Sequence, residues 1–155
     1  MKPTSLSGEN SLYLDDLQPG QRFYSRSIGI SADDIMAFAA QFDPQPFHLD
    51  AQAATASIFQ GLVASGWHTA ALTMRLLVDG GLPIANGAIG TGGEVSWPRP
   101  TRPGDILSVE SEILEVRASR SKPDRGIVTV KSETRNQRGE SVQSMIAKLL
   151  VLRRA

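Results

Sequence analysis

Residues 65–78, Ser-Gly-Trp-His-Thr-Ala-Ala-Leu-Thr-Met-Arg-Leu-Leu-Val, limit the fold more than any other stretch of the chain. Trp67, Ala70, Ala71, Met74, Leu77 and Val78 recur at helical spacing, and Leu72 and Leu76 add apolar surface on other sides. A helix of this kind needs partners around most of its circumference, so it is expected to be largely buried. Arg75 and Asp79, four apart, mark the side left for solvent, and Gly80, Gly81 and Pro83 end the helix.

What surrounds the helix comes mostly after it. Residues 88–97 read as a strand loosened by Gly90, Gly92 and Gly93, which permit strong curvature or close approach of another backbone. A proline-rich turn follows over residues 98–105. Residues 106–116 form a long strand whose alternation slips near Ser111, the signature of a bulge. Residues 127–135 alternate with Val128 and Val130 on one side, and residues 147–152 are apolar on both faces, as in a strand inside a sheet. Before the helix, Pro19-Gly20 makes a turn and residues 22–30 a first strand. Strand, helices, then strands joined by short turns make an α+β domain in which an antiparallel sheet wraps one buried helix. At 155 residues the chain suits one domain over residues 12–155, with residues 1–11 as a loose tail.

Composition removes several function classes. The 16 basic residues balance the 16 acidic ones, so there is no bulk positive field for nucleic acid or an anionic membrane. With no cysteine there is no thiol nucleophile and no Cys-based zinc site. The first residues carry no apolar run, so the expected location is cytoplasmic.

The candidate chemistry lies in Asp43-Pro44-Gln45-Pro46-Phe47-His48. Each proline fixes its own φ and restricts the residue before it, so an acid and an imidazole are held close with little freedom. Upstream, Ser31 and Asp34 cap a helix with Ile35, Phe38, Ala39 and Phe42 on one face, which delivers Asp43 at its end. Downstream, Asp50 caps a short helix over residues 51–57, leaving the pair in a stiff loop. The spacing alone also fits a helix-end carboxylate and a loop imidazole making local hydrogen bonds. Asp50 could complete a metal triad, but no His-x-x-x-His spacing supports one. Ser65 beside His68 lacks a nucleophile elbow, and His68 reads as a structural histidine with satisfied hydrogen bonds. Arg99, Arg102, Arg117, Arg120, Lys122 and Arg125 fit either a phosphate-binding cluster or a solvated surface.

Three runs together resemble the MaoC-like group of hot-dog-fold proteins, which includes the (R)-specific enoyl-CoA hydratases and acyl dehydratases. They are the capped helix feeding Asp43 to Asp50, Gly61-Leu-Val-Ala-Ser-Gly66 opening the buried helix, and Trp97-Pro-Arg-Pro-Thr-Arg-Pro-Gly104-Asp105. The resemblance implies a five-stranded antiparallel sheet around the helix from Gly66, homodimers made by joining two sheets, and a thioester channel at their interface. It implies that Asp43 activates water, that His48 shares the proton traffic and that the Gly66 N–H holds the thioester oxygen, with Ser65, Trp67, Phe47 and Met74 contacting substrate. The expected reaction is hydration of a trans-2-enoyl thioester to a (3R)-hydroxyacyl thioester, or its reverse. The acyl group would ride on coenzyme A or acyl carrier protein, with coenzyme A only as part of the substrate and no metal or other cofactor. A hot-dog thioesterase and a non-catalytic acyl-thioester-binding module are the alternatives. The chain departs from the family in carrying Gln45 where Asn is usual and Met74 where well-known hydratases have serine.

Overall fold

The computed structural model describes residues 11–155, so the tail expected at residues 1–11 lies almost wholly outside the described residues. The strands are β1 (Arg22–Tyr24), β2 (Ile28–Gly29), β3 (Ile89–Ser96), β4 (Ile106–Ala118), β5 (Arg125–Arg135) and β6 (Ser141–Leu152). They form one antiparallel sheet in the order β1-β4-β5-β6-β3, with β2 also on β4. The helices are α1 (Ala32–Phe42), α2 (Pro46–Leu49), α3 (Ala51–Thr55) and α4 (Gly66–Leu76), and a wide turn at Leu77–Gly81 extends α4.

Two strand expectations need adjusting and a third holds. The single strand over residues 22–30 is broken in two, because Ser25 takes over the ladder: its amide donates to the Val109 carbonyl at 2.9 Å and its Oγ accepts from the Val109 amide at 2.8 Å. The register shift in β4 falls between Ile113 and Glu115 rather than at Ser111. Ser111 is buried opposite Ser132 with hydroxyls 3.0 Å apart, so a polar residue stays on the inward face without breaking the alternation. In β3 the register shifts between Gly90 and Gly92, and a Cβ on Gly93 would collide with the Ile146 carbonyl, so the expected close backbone approach is present.

The expectation for α4 is corrected in its orientation. Its buried residues are His68, Thr69, Thr73 and Leu76, whereas Trp67, Met74 and Val78 are 61%, 45% and 44% exposed. Of the periodic apolar residues, Trp67, Met74 and Val78 therefore face outward, and Leu77 joins the core. The sheet-facing side can be polar because its hydroxyls find partners: Thr69 Oγ1 donates to Thr101 Oγ1 at 3.1 Å, and Thr73 Oγ1 donates to the Thr69 carbonyl at 2.9 Å.

Two apolar clusters fix these elements. Leu76, Leu107, Ile113, Val128, Val130, Val142 and Val151 fill the space between α4 and the sheet. Ile30, Ile35, Ala54, Leu62 and Ala64 tie α1, α3 and the connector to α4 into a platform beside it. Among the described residues no helix is long and apolar enough to cross a membrane.

Candidate active site

The carboxylate is placed by α1. Ser31 and Asp34 form a reciprocal cap, the Asp34 amide donating to Ser31 Oγ at 3.1 Å and the Ser31 amide to Asp34 Oδ2 at 3.0 Å. Ile35 and Ala39 are buried, which sets the rotation of the helix, and Asp43 is its C-cap. The proline frame then does more than make a loop. Pro46 occupies the first turn of α2, where a missing N–H costs nothing, so Phe47 and His48 sit in a one-turn helix. Asp50 caps α3 as expected, its Oδ1 accepting from the Gln52 amide at 2.8 Å, although α3 ends at Thr55 rather than residue 57.

His48 is buried and its tautomer is set by its partner. Its Nδ1–H donates to the Val63 carbonyl at 2.7 Å, since a carbonyl oxygen only accepts. The Val63 amide returns a bond to the Phe47 carbonyl at 3.1 Å, which locks the connector against α2. The other ring nitrogen, Nε2, faces Asp43 Oδ2 at 3.3 Å.

Asp43 is held on its other oxygen by Gln45, whose Nε2 donates to Oδ1 at 2.6 Å. Burial pushes the Asp43 carboxyl up, but hydrogen bonds from Ser65 and Gln45, together with His48, outweigh it and hold the group below the ordinary carboxylate value. Asp43 is therefore a carboxylate at neutral pH. Ser65 is fully buried, and its Oγ also accepts from the Trp67 amide at 3.2 Å as the N-cap of α4.

Gly66 opens α4, and among the described residues nothing accepts a hydrogen bond from its amide. That free N–H stands at the positive end of the helix. A Cβ at Gly66 would come within 2.7 Å of Trp97 Cε2, so the indole occupies the place of a side chain. Trp97 meets Trp67 edge to face, with ring centroids 5.2 Å apart at 81°.

Asp43, Phe47, His48, Gly66, Trp67 and Trp97 line one cavity of about 480 Å³. The expected residues Asp43, Phe47, His48, Gly66 and Trp67 are thus brought together, with Ser65 buried beside Asp43. Met74 is not with them: it lines a second, apolar hollow of about 310 Å³ with Leu77, Val95, Met145 and Leu149. Sequence reasoning gives Trp97 no role in the site, only a place as the last residue of the strand over 88–97 and the first of the third family-like run. The available signal was a large aromatic closing a glycine-rich strand, which needs a small residue opposite. Of the two readings of the cationic residues, a single cluster is not what the structure shows. Arg99 lines the cavity and pairs with Glu140 at 3.2 Å, Arg102 donates to the Phe59 carbonyl at 2.9 Å, and Arg117 and Arg120 border a separate hollow.

His68 corrects another expectation, because its Nδ1 is buried without a hydrogen-bond partner. The ring stacks on Phe38 with centroids 4.5 Å apart and planes within 5°. Burial lowers its pKa below the ordinary 6.5, and the Asp34 charge only partly opposes this. The unfolded chain therefore binds this proton more readily, so the contribution of His68 to stability is complete above pH 6.5 and is lost as the pH falls from there through the lowered folded-state pKa. His68→Phe keeps the stack and removes the titration. Melting temperatures between about pH 8 and pH 5 should fall less steeply for His68→Phe than for the wild type; equal slopes would contradict this.

Comparison with known proteins places this geometry. The family model described as "MaoC like domain" matches residues 16–136. The crystal structure of a MaoC-like dehydratase from Rhodospirillum rubrum is 59% identical, covers 94% of this chain and 99% of its own, and superposes with a TM-score of 0.92. The (R)-hydratase PhaJ1 from Pseudomonas aeruginosa, in unliganded form, is 29% identical with a TM-score of 0.75, covering 93% of this chain and 88% of its own. YdeM of Bacillus subtilis (strain 168), described as an uncharacterized protein, is 36% identical over 126 residues, which cover 81% of this chain and 88% of YdeM. The antiparallel sheet with its long helix is the hot-dog fold of these neighbours, and the chain belongs to the MaoC-like domain family.

Proposed function

We propose that the protein adds water to a trans-2-enoyl thioester, or removes it from the 3-hydroxyacyl product, using Asp43, His48 and Gly66. The observation that carries this reading is the Asp43 carboxylate and the His48 Nε2 3.3 Å apart, facing the same cavity as the amide that begins α4, for which no acceptor is present among the described residues. Likeness to an (R)-hydratase supports the (3R) configuration of the product.

In the proposed reaction a water molecule donates its hydrogens to Asp43 and to Nε2 of His48. As its oxygen bonds to the β-carbon, the π electrons move toward the α-carbon and the thioester oxygen gains negative charge. The proton released goes to Nε2, and the imidazolium formed is stabilised by the adjacent carboxylate. Returning that proton to the α-carbon completes the addition and restores the neutral ring. Each positioned proton transfer contributes about 10²- to 10⁴-fold. The Gly66 amide donates to the charged thioester oxygen, a contribution of about 10²- to 10³-fold. The chemistry uses no metal or redox cofactor, and coenzyme A enters only as the carrier of the acyl group. We place the enzyme in the cytoplasm.

The proposed working unit is a homodimer. β3 ends the sheet, leaving a strand edge that no described residue pairs, and Trp67, Met74, Val78, Ile89 and Ile146 are exposed apolar side chains on α4, the turn that extends it, β3 and β6. Pairing two such edges extends the sheet and covers that surface.

Incubation of crotonyl-CoA with the protein in ¹⁸O-water tests the reaction. Hydration places the label on C3 of a product that keeps its thioester. A thioesterase would place the label in a free carboxylate and release thiol, and a non-catalytic binding module would leave the substrate unlabelled.

Gln45 provides a further check. Removing its hydrogen bond in Gln45→Ala raises the pKa of Asp43, because that bond favours the ionised form. The acidic limb of the pH–rate profile should therefore move to higher pH, while Gln45→Asn moves it less. An unshifted limb in Gln45→Ala would show that Gln45 does not tune the carboxylate.

A further inference from the structure

Behind the cavity wall runs a buried hydrogen-bond chain whose every direction is fixed by chemistry. The Trp97 indole N–H only donates, and it reaches Gln143 Oε1 at 2.9 Å. That turns the Gln143 amide nitrogen toward Thr73 Oγ1, at 3.2 Å. Thr73 Oγ1 gives its one hydrogen to the Thr69 carbonyl, so Thr134 must donate to it across 2.6 Å. Gln143, Thr73 and Thr134 are fully buried, and none of these polar groups is left without a partner. The chain starts on the residue after β3, crosses β6 and ends on the backbone of α4, one turn from Gly66.

A glutamine in an apolar interior is costly unless its whole amide is paired, so its place here calls for a reason. We propose that Gln143 orients the Trp97 indole, and that Trp97 is a positioning residue which holds the thioester against the Gly66 amide. The proposal rests on the hydratase reading above. The indole fills the space a side chain at Gly66 would take, and the two residues line the same cavity. An oxygen accepting from that amide therefore has the indole as its neighbour, which excludes water and strengthens the bond. The buried chain fixes the wall relative to α4, the same helix that carries the donor.

A double-mutant cycle tests this. Gln143→Met keeps volume and removes the acceptor for Trp97; Trp97→Phe keeps a ring over Gly66 but has no N–H for Gln143 to orient. In the wild-type background Gln143→Met is expected to lower kcat on crotonyl-CoA about 10- to 100-fold, the range for a displaced reactive geometry, with a smaller change in KM. In the Trp97→Phe background the same substitution should change kcat by less than about twofold, because the two residues act as one unit. Equal losses in both backgrounds, or none in either, would overturn the proposal. If Gln143→Met does not fold, Thr73→Val breaks the chain one step further away and enters the same cycle.

The near-ultraviolet circular dichroism of the edge-to-face Trp67–Trp97 pair reports the indole orientation without substrate, and it should change in Gln143→Met. An unchanged spectrum counts against the proposal. Binding of saturated butanoyl-CoA carries the cycle independently of turnover. A wild type inert toward enoyl thioesters but binding butanoyl-CoA, with the same non-additivity, would remove the hydratase reading and leave Trp97 as the thioester wall. Additive effects on binding would remove that role as well.

Discussion

Asp43→Asn is expected to lower kcat/KM for hydration by about 10²- to 10⁴-fold while leaving the fold and melting temperature nearly unchanged. The substitution is isosteric, and Gln45 can still donate to the remaining oxygen. What is lost is the charge. The new amide points a donor at His48 Nε2, 3.3 Å away, where the carboxylate oxygen stood, and so occupies the lone pair that takes the proton from water in the proposed reaction. It also removes the anion that stabilises the imidazolium. His48→Ala should be comparably damaging to turnover, and it additionally strands the Val63 carbonyl, so some stability is lost with it. Steady-state kinetics beside thermal melts separate the two cases. An Asp43→Asn enzyme within a few-fold of wild type would show that the carboxylate is not part of the chemistry.

Gly66→Ala should reduce kcat by about 10²- to 10³-fold, through two effects with one origin. Its methyl would stand 2.7 Å from Trp97 Cε2, so the indole or the first turn of α4 must shift. Either movement carries the amide away from the place the proposed reaction gives the thioester oxygen. Crowding of this kind costs about 1–3 kcal/mol of stability, partly offset by the better helix propensity of alanine. The signature is a drop in kcat much larger than the change in melting temperature or in KM. A purely structural Gly66 would instead lose stability and keep its turnover per folded molecule.

Much of this was legible in the chain because local rules and tertiary needs agree there. The Ser31–Asp34 cap, the Asp50 cap, the inward Val128 and Val130 and the close approach at Gly93 each follow from residue types at short range. The pairing of Asp43 with His48 was readable for the same reason, since the prolines leave the segment few conformations. The burial of α4 was misread. Periodicity finds the apolar residues, of which Trp67, Met74 and Val78 look outward, while threonines line the inward side through hydrogen bonds to residues 32 and 61 positions away. Such long-range satisfaction leaves no local trace. The same is true of Trp97 over Gly66 and of Gln143 behind it, which are joined only when β3, β6 and α4 pack. His68 shows the opposite case: a polar group expected to be satisfied that the packing leaves unpaired.

The most direct test of the central claim is to mix the wild-type protein with trans-2-enoyl-CoAs of increasing chain length, following conjugated-enoyl absorbance and free thiol together. The account predicts that absorbance falls to the hydration equilibrium without thiol release for at least one chain length, and that Asp43→Asn leaves it unchanged. Thiol release in step with substrate loss, or a fall in absorbance that Asp43→Asn reproduces at the wild-type rate, would contradict it.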